Sequence, residues 1–306
     1  MISSIDQILD AAKNGRSGVI AVAAAHDSVV LRAVVHAYKE NVVEPILVGH
    51  AQEIEDILTR LGETPKRYQI VDAGDDIDCA TKAVILCATG KADFLMKGLV
   101  GTADLMRTVF KKEYGLRTGR LVSHCMFFET PRYPKMLLMT DGGVNTYPDL
   151  GKKADILENA AVALHVLGYE KIYAACVCGA ENVDPKIQAT VDADLLTKMT
   201  DRWAKYNMKV IGPVGTDMAV SKEACRHKLY HEEGGGEADI MLVPNYEMGN
   251  GIYKAASIFA GVRSAGIIMG ARVPIVLTSR SDNAESKLAS IAVGSILAER
   301  LKWKSR

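Results

Sequence analysis

The sequence carries no excess of charge of either sign, because its 306 residues include 37 Lys and Arg against 37 Asp and Glu. Proteins that bind nucleic acids or anionic membranes usually carry a strong local or net positive charge. The balance of charges in this sequence therefore argues against both kinds of partner. The chain also lacks the run of about 18 apolar residues that spans a membrane. Its first residues lack the basic and apolar segments of an export signal. These absences predict a cytoplasmic protein that acts on a small ligand.

The cysteine spacing and the missing motifs exclude further classes of protein. The six cysteines include no C-x-x-C pair, which favours reduced thiols over disulfides or a structural zinc site. Cys176 and Cys178 are spaced to share one face of a strand, which suits either a metal pair or core packing. No G-x-G-x-x-G follows the first predicted strand, and the P-loop, G-x-S-x-G and H-E-x-x-H motifs are missing. The commonest nucleotide folds, hydrolase triads and zinc proteases are thereby excluded.

What is present is an alternation of strand-length apolar runs with helix-length amphipathic segments. Strands are predicted over 18–23, 45–48, 68–72 and 92–96, with helices over 27–40, 51–61 and 76–90 between them. Such a βαβ series predicts an α/β fold with a mostly parallel sheet covered on both faces.

The alternation breaks at residues 121–141, where two apolar runs flank a Thr-Pro-Arg-Tyr-Pro turn. The pattern predicts an antiparallel pair at a domain border. Beyond it we predict helices over 149–167, 216–228 and 282–301, and strands over 171–178, 238–244, 265–269 and 273–278. The last strand and helix are expected to return to the first domain. The predicted domains are therefore 1–130 plus 268–306, and 131–267.

Three polar sets follow predicted strands. Ligands in open α/β sheets bind at the carboxyl ends of strands, so these sets are the candidate site. Lys97 and Gly98 open the first set, where glycine would let backbone amides approach an anion, and Arg107 lies further along the helix. Asn250 and Tyr253 belong to the second set, in which Gly249 is predicted to form a turn and Tyr253 to begin the following helix.

The third set is Ser279-Arg280, a hydroxyl and a guanidinium directly after the apolar run Val273-Pro-Ile-Val-Leu-Thr. Asp282 and Glu285 follow it. A helix N-cap at Asp282 with Glu285 as capping-box partner is the structural alternative to a catalytic role for these carboxylates.

Together the motifs Ala92-Asp-Phe-Leu-Met-Lys-Gly, Thr140-Asp-Gly-Gly-Val-Asn, Gly249-Asn-x-x-Tyr-Lys and Val-Leu-Thr-Ser279-Arg280-Ser-Asp resemble the phosphate acetyl/butyryltransferase family. The resemblance runs from about residue 19 to residue 297 and is nearest to its butyryl-transferring members. It implies two αβα domains of the isopropylmalate-dehydrogenase-like type with the active site in the cleft between them. It also implies reversible transfer of a short acyl group between coenzyme A and phosphate through a ternary complex. These two would be substrates, with no permanently bound cofactor and no metal, and the protein would be a homo-oligomer.

The resemblance assigns Ser279 and Arg280 to catalysis and Arg107 to substrate binding. Guanidinium groups bind phosphate bidentately, and a hydroxyl can donate to the tetrahedral oxyanion. Acetyl-transferring relatives have an aspartate seven residues after the serine, where this chain has Ser286. Asp282, or else Glu285, is therefore the predicted base.

The resemblance also places Lys97, Gly98, Asn250 and Tyr253 near the cleft. For His124 both a cleft-facing role and a packed, hydrogen-bonded role stay open. Asp141, with the two glycines after it, either contacts ligand or turns the chain.

Two other readings compete with butyryl transfer within this fold type, besides acetyl transfer by the same family. A metal- and NAD-dependent decarboxylating dehydrogenase would need clustered aspartates, for which Asp192 and Asp194 are the best-spaced pair. A binding protein without turnover would keep the cleft but would not need Ser279, Arg280 and Arg107.

Overall fold

The structure is a computed structural model that describes residues 1–279 and 282–301. The predicted catalytic residue Arg280 thus lies outside the described residues. In chain order the elements are α1 (Ile5–Asn14), β1 (Gly18–Ala23), α2 (Ser28–Lys39), β2 (Val43–Gly49), α3 (Ala51–Arg60), β3 (Gln69–Asp72), α4 (Asp76–Ala88), β4 (Phe94–Lys97), α5 (Thr102–Val109), β5 (Ser123–Glu129), β6 (Leu137–Thr140), α6 (Leu150–Val166), β7 (Ile172–Val177), α7 (Gln188–Thr197), α8 (Thr200–Ala204), β8 (Met208–Val214), α9 (Thr216–Val220), α10 (Lys222–His227), β9 (Ile240–Leu242), α11 (Tyr246–Phe259), β10 (Arg263–Met269), β11 (Ile275–Val276) and α12 (Ala284–Arg300).

The chain divides into two compact units. Unit A comprises Asp6–Arg120 and the segment that starts at Ala265, and unit B comprises Met1–Ile5 and Leu121–Ser264. The division predicted from the sequence places the domain boundaries after residues 130 and 267. The return of the last strand and helix to the first half of the chain makes unit A discontinuous.

Unit A is built on strands in the order β3-β2-β1-β4-β11-β10. All neighbours are parallel except β10 and β11, which are antiparallel. The carboxyl ends of β1, β4 and β11 therefore meet at one edge. Unit A is thus an α/β unit with a mixed sheet.

Helix α12 is the buried helix of unit A. Every residue from Lys287 to Leu297 is buried, as expected for a helix that is apolar on all sides. A Cβ at Gly294 would come within 2.8 Å of the Phe94 and Val276 side chains, so the helix lies directly on β4 and β11. This packing fixes the start of α12 close to the polar residues that follow those strands.

Unit B has the strand order β5-β6-β9-β7-β8. β5 and β6 are antiparallel, and the other neighbours are parallel. The predicted antiparallel pair at 121–141 is confirmed, with Met126 opposite Met139. The carboxyl ends of β6 and β9 lie side by side, so the segments that follow them are neighbours.

Three predicted elements need correction. The helix over 216–228 is two helices, because Ser221 adopts an extended backbone and its side chain caps α10. The strand over 273–278 retains only Ile275–Val276 in ladder pairing. The helix of the second polar set begins at Tyr246, before the predicted turn, because Asn245 accepts from Met248 N and caps it. Of the helices described, none has the length and apolar character to cross a membrane.

Candidate active site

A cavity of about 110 Å³ lies in unit A at the carboxyl ends of β4 and β11. It is lined by Asp27, Val29, Val30, Lys97, Gly98, Leu99, Thr278, Ser279 and Lys287. The location matches the edge where open α/β sheets bind ligands. Two predicted site residues of the first set and one of the third are therefore brought together by the fold.

Ser279 reaches the cavity at the end of the β11 segment. Its backbone N–H donates to Asp282 Oδ2 over 2.7 Å. Asp282 is thus not the cap of α12, because Asn283 accepts from Ser286 N and caps the helix instead. The carboxylate of Asp282 therefore holds the backbone N–H of Ser279.

Lys287 is a cavity residue that the sequence reasoning missed. It lies in the first turns of α12 and is 2% exposed. Its Nζ donates to the carbonyl oxygens of Ser279, over 2.8 Å, and Asp282, over 2.9 Å. Burial lowers the pKa of Lys287, and the carboxylates of Asp282 and Asp27 act in the opposite direction. A lysine in an otherwise apolar helical run was the one signal in the sequence.

Asp27, also missed, lines the same cavity at the start of α2. Its carboxylate caps that helix by accepting from Val29 N and Val30 N, over 3.0 and 2.8 Å. Its position directly before a helical pattern was the available signal for this cap.

Lys97 is the last residue of β4 and is 6% exposed. Its Nζ donates to the carbonyl oxygens of Gly98, over 3.0 Å, and Val100, over 3.2 Å. Lys97 and Lys287 thus bring two buried amines to one small cavity. An anion is the ligand that such a cavity suits electrostatically.

Gly98 is needed for a reason other than the predicted one. Its N–H donates to Ala23 O over 2.8 Å, so this amide is used within the sheet rather than offered to an anion. A Cβ at this position would lie 2.2 Å from Ala24 O and 2.6 Å from Ala23 O. Glycine therefore permits the close approach of β1 and β4 beside the cavity.

Arg107 and Glu285 lie on the exposed faces of their helices. Arg107 Nη1 donates to Asp104 Oδ1 over 2.6 Å, and the arginine side chain is 69% exposed. Glu285 lies in the exposed first turn of α12. Neither residue lines the cavity of unit A.

In unit B, Asp141 organises the loop that follows β6. It is 1% exposed, and its carboxylate accepts from the backbone N–H groups of His124, Gly143, Val144 and Asn145 over 3.1, 2.8, 2.9 and 3.2 Å. The Asn145 side-chain amide adds a fifth bond of 2.7 Å. Of the two roles left open for Asp141, the described contacts support turning the chain.

His124 lies in β5 and is 5% exposed. A Cβ at Gly143 would meet the His124 ring at 2.8 Å. The loop backbone therefore packs directly on the imidazole, and only glycine allows that contact.

Asn250 and Tyr253 lie on α11, beside the same loop. A Cβ at Gly249 would be 2.7 Å from the Gly142 Cα, so the helix and the loop touch through two glycines. Asn250 follows this contact and is partly exposed. Tyr253 is 7% exposed, packs in the hydrophobic core of unit B and has its hydroxyl 3.3 Å from Ser264 Oγ.

The aspartates considered for a dehydrogenase metal site each have a lysine partner. Asp192 accepts from Lys153 Nζ over 2.7 Å, and Asp194 accepts from Lys198 Nζ over 2.6 Å. Cys176 and Cys178 are buried, and Cys178 Sγ donates to Ala189 O over 3.3 Å. The Lys153–Asp192 pair is thus a buried ion pair, whereas the Lys198 side chain of the second pair is 66% exposed.

Comparison with known proteins places the chain in a family. The family profile described as "Phosphate acetyl/butaryl transferase" matches residues 75–294. The phosphate butyryltransferase of Clostridium acetobutylicum is 42% identical over 298 residues, which cover 97% of this chain and 99% of that protein. The phosphate acetyltransferase of Thermotoga maritima is 37% identical over 294 residues, 96% and 99% of the two chains. The crystal structure of a branched-chain phosphotransacylase from Enterococcus faecalis V583 has a TM-score of 0.83 and 31% identity, and the match covers 92% and 99% of the chains.

The mixed α/β fold and these similarities define a transferase of the phosphotransacylase type. The chain belongs to the phosphate acetyl/butyryl transferase family. The resemblance inferred from the sequence motifs is thereby confirmed.

Proposed function

We propose that this chain is a phosphate acyltransferase that moves a short acyl group, preferentially butyryl, reversibly between coenzyme A and inorganic phosphate. The main support is the 42% identity to a phosphate butyryltransferase over 97% of the chain. Further support is a cavity lined by Ser279 and Lys97, which offer a hydroxyl and a positive charge of the kind that this reaction needs.

In the proposed reaction a phosphate oxygen attacks the thioester carbonyl carbon. The new C–O bond forms as the C–S bond breaks, and the thiolate leaves as coenzyme A and takes up a proton. Before attack, the phosphate must be held and oriented, which cationic side chains accomplish. We assign this task to Arg280 and Lys97, with Gly98 shaping the cavity wall and Arg107 on α5 contacting substrate.

The oxyanion that develops on the carbonyl needs a fixed hydrogen-bond donor. We assign that donor to the Ser279 hydroxyl, at the end of the β11 segment. Removing a single oxyanion donor lowers turnover by about 10²- to 10³-fold. His124, Asn250 and Tyr253 of unit B complete the proposed substrate-binding set.

The reverse reaction needs a base for the coenzyme A thiol, whose pKa is about 8.5. We assign it to Asp282, although this carboxylate also anchors Ser279 N over 2.7 Å. Asp282→Asn keeps an acceptor oxygen for that amide and removes the basicity. A large loss of rate from thiol and acyl phosphate would support the assignment. Retention of that rate would move it to Glu285, for which Glu285→Gln is the matched variant.

We further propose the isopropylmalate-dehydrogenase-like arrangement that the family resemblance implies, with the substrates in the cleft between the two domains. The same resemblance underlies the proposal of a homo-oligomer without a resident cofactor.

Acetyl transfer is the second candidate, favoured by the 37% identity to a phosphate acetyltransferase over 96% of the chain. One methylene changes binding in an apolar pocket by only about 1–3 kcal/mol. The preferred length of the acyl chain must therefore be determined from the transfer rates of different acyl-CoA substrates.

The test is thiol release from acetyl-, propionyl-, butyryl-, isobutyryl- and valeryl-CoA with and without phosphate. We expect release that requires phosphate and is fastest with butyryl-CoA. Ser279→Ala should lower the rate at least about 10²-fold, and Arg280→Ala should raise the KM for phosphate. Ser17→Ala, at the opposite edge of the unit A sheet, is the control and should leave both unchanged. Release that ignores phosphate would refute the proposal.

A further inference from the structure

Helix α12 buries an amine that the proposed reaction has not yet used. Lys287 is 2% exposed, and taking an ammonium out of water is strongly unfavourable unless polar partners replace the water. Lys153 of unit B is similarly buried at 5% and has the carboxylate of Asp192 as its partner. Lys287 has a different kind of environment.

The partners of Lys287 Nζ are two backbone carbonyl oxygens, those of Ser279 at 2.8 Å and Asp282 at 2.9 Å. In the sequence these two residues flank Arg280 and Ser281. The ammonium therefore links the backbone carbonyl groups of Ser279 and Asp282. Asp282 Oδ2, which accepts from Ser279 N over 2.7 Å, adds a direct hydrogen bond between these two residues.

The helix that carries Lys287 is itself firmly packed. Lys287 starts the buried stretch of α12 that runs to Leu297, and Gly294 in that stretch packs on β4 and β11. Because the carbonyl partners are uncharged, the bonds position the ammonium without neutralising it. Burial lowers the pKa of Lys287, while Asp282 and Asp27 favour its charged form.

We propose that Lys287 is a positioning residue of the acyl-transfer site, whose amine holds residues Ser279 and Asp282 so that the Ser279 hydroxyl faces the cavity. This inference rests on the proposed function. A misplacement of about 1 Å at a reacting group can lower turnover on the order of 10²-fold, so the loss of this tie should appear in kcat.

The experiment is a double-mutant cycle between Lys287 and Ser279, measured as phosphate-dependent release of thiol from butyryl-CoA. Lys287→Gln removes the charge and shortens the side chain while it retains N–H donors. We expect it to lower kcat by about 10- to 100-fold in the wild-type background. In the Ser279→Ala background the same change should cost less than about 3-fold, because residues that act as one unit are non-additive.

A structural role alone would give the same factor in both backgrounds. Ser290→Ala is the matched control on α12: it removes a hydroxyl that donates to Ser286 O and accepts from Gly266 N, over 2.7 and 2.9 Å. It should lower the melting temperature and leave kcat within about 2-fold of wild type. Amide exchange at Ser279 supplies a readout independent of turnover, and it should be faster in Lys287→Gln.

The outcomes separate the inference from the proposed function. A wild-type enzyme without phosphate-dependent release refutes the proposed function, and a fully active Ser279→Ala variant refutes the site. If both hold and Lys287→Gln has an equal effect in the two backgrounds, or none, the positioning role alone is overturned. Should Lys287→Gln fail to fold, Lys287→Arg, which keeps charge and donors, carries the same cycle. A loss of kcat confined to the enzyme that retains Ser279 supports the positioning role. An equal loss in the Ser279→Ala background overturns it.

Discussion

Replacing Gly98 with alanine should destabilise unit A and damage the cavity at once. The added Cβ would lie 2.2 Å from Ala24 O, 2.6 Å from Ala23 O and 2.8 Å from Ala24 C. All three are backbone atoms at the end of β1, so no side chain can rotate away and the strands must separate. The separation would strain the hydrogen bonds of Gly98 N with Ala23 O, at 2.8 Å, and Leu99 N with Ala24 O, at 2.9 Å.

Two weakened hydrogen bonds at about 1 kcal/mol each, together with overpacking of about 1–3 kcal/mol, give an expected loss of about 4 kcal/mol. In a unit of this size that corresponds to a fall in melting temperature of about 8–16 °C. Scanning calorimetry measures the fall. The rate of phosphate-dependent thiol release should drop as well, because Lys97 moves with Gly98.

Gly74→Ala is the control for this prediction, since a Cβ at Gly74 meets nothing within 4 Å. It should change the free energy of unfolding by less than about 0.5 kcal/mol. If Gly98→Ala melts together with the wild type, or if both variants lose equal stability, the reasoning from close approach is wrong.

Three further predictions concern buried groups. Lys153→Met should lower the free energy of unfolding in urea by about 3–5 kcal/mol, because it leaves the buried Asp192 carboxylate without its ion-pair partner. Adding Asp192→Leu should restore most of that loss. A Lys153→Met variant as stable as the double variant would contradict this. All six cysteines are buried, and burial raises the pKa of Cys178 to about 11, so Ellman's reagent should titrate them only after unfolding; rapid labelling of the native protein would contradict this. Because the folded-state pKa of Lys287 is lowered from 10.5, the unfolded chain binds more protons between the two values, and the free energy of unfolding should rise with pH there. Lys287→Met should remove that part of the slope, as measured by urea unfolding at several pH values, and an unchanged slope would count against the buried amine.

The alternation of apolar runs with amphipathic segments predicted most of the helices and strands, because parallel α/β units leave a strong pattern in the sequence. The helix predicted over 149–167 corresponds to α6, where Asp149 is the N-cap and its carboxylate accepts from Lys152 N over 2.9 Å. Of the two roles left open for Asp282, the helix cap is taken by Asn283 instead. The single helix predicted over 216–228 is wrong, because Ser221 starts a new helix within it. Such choices depend on backbone angles that the residue types alone do not determine.

The candidate site was predictable in part for a related physical reason. Lys97 is the last residue of the buried strand β4, Gly98 follows it, and Ser279 ends the apolar run that contains β11. The end of an apolar run therefore marked all three residues in the sequence. Lys287 was missed because it lies within an apolar helix, and only the three-dimensional return of α12 to β4 and β11 brings it to the cavity. The use of Gly98 N by Ala23 O was equally hidden, because it depends on pairing between strands far apart in sequence.

The central claim is acyl transfer to phosphate, and the most direct measurement is identification of the product. Purified protein, butyryl-CoA and inorganic phosphate should yield butyryl phosphate and free coenzyme A in equal amounts, followed by ³¹P NMR and thiol titration. Ser279→Ala should suppress both products together. Thiol release without any acyl phosphate, or with free butyrate in its place, would contradict the account.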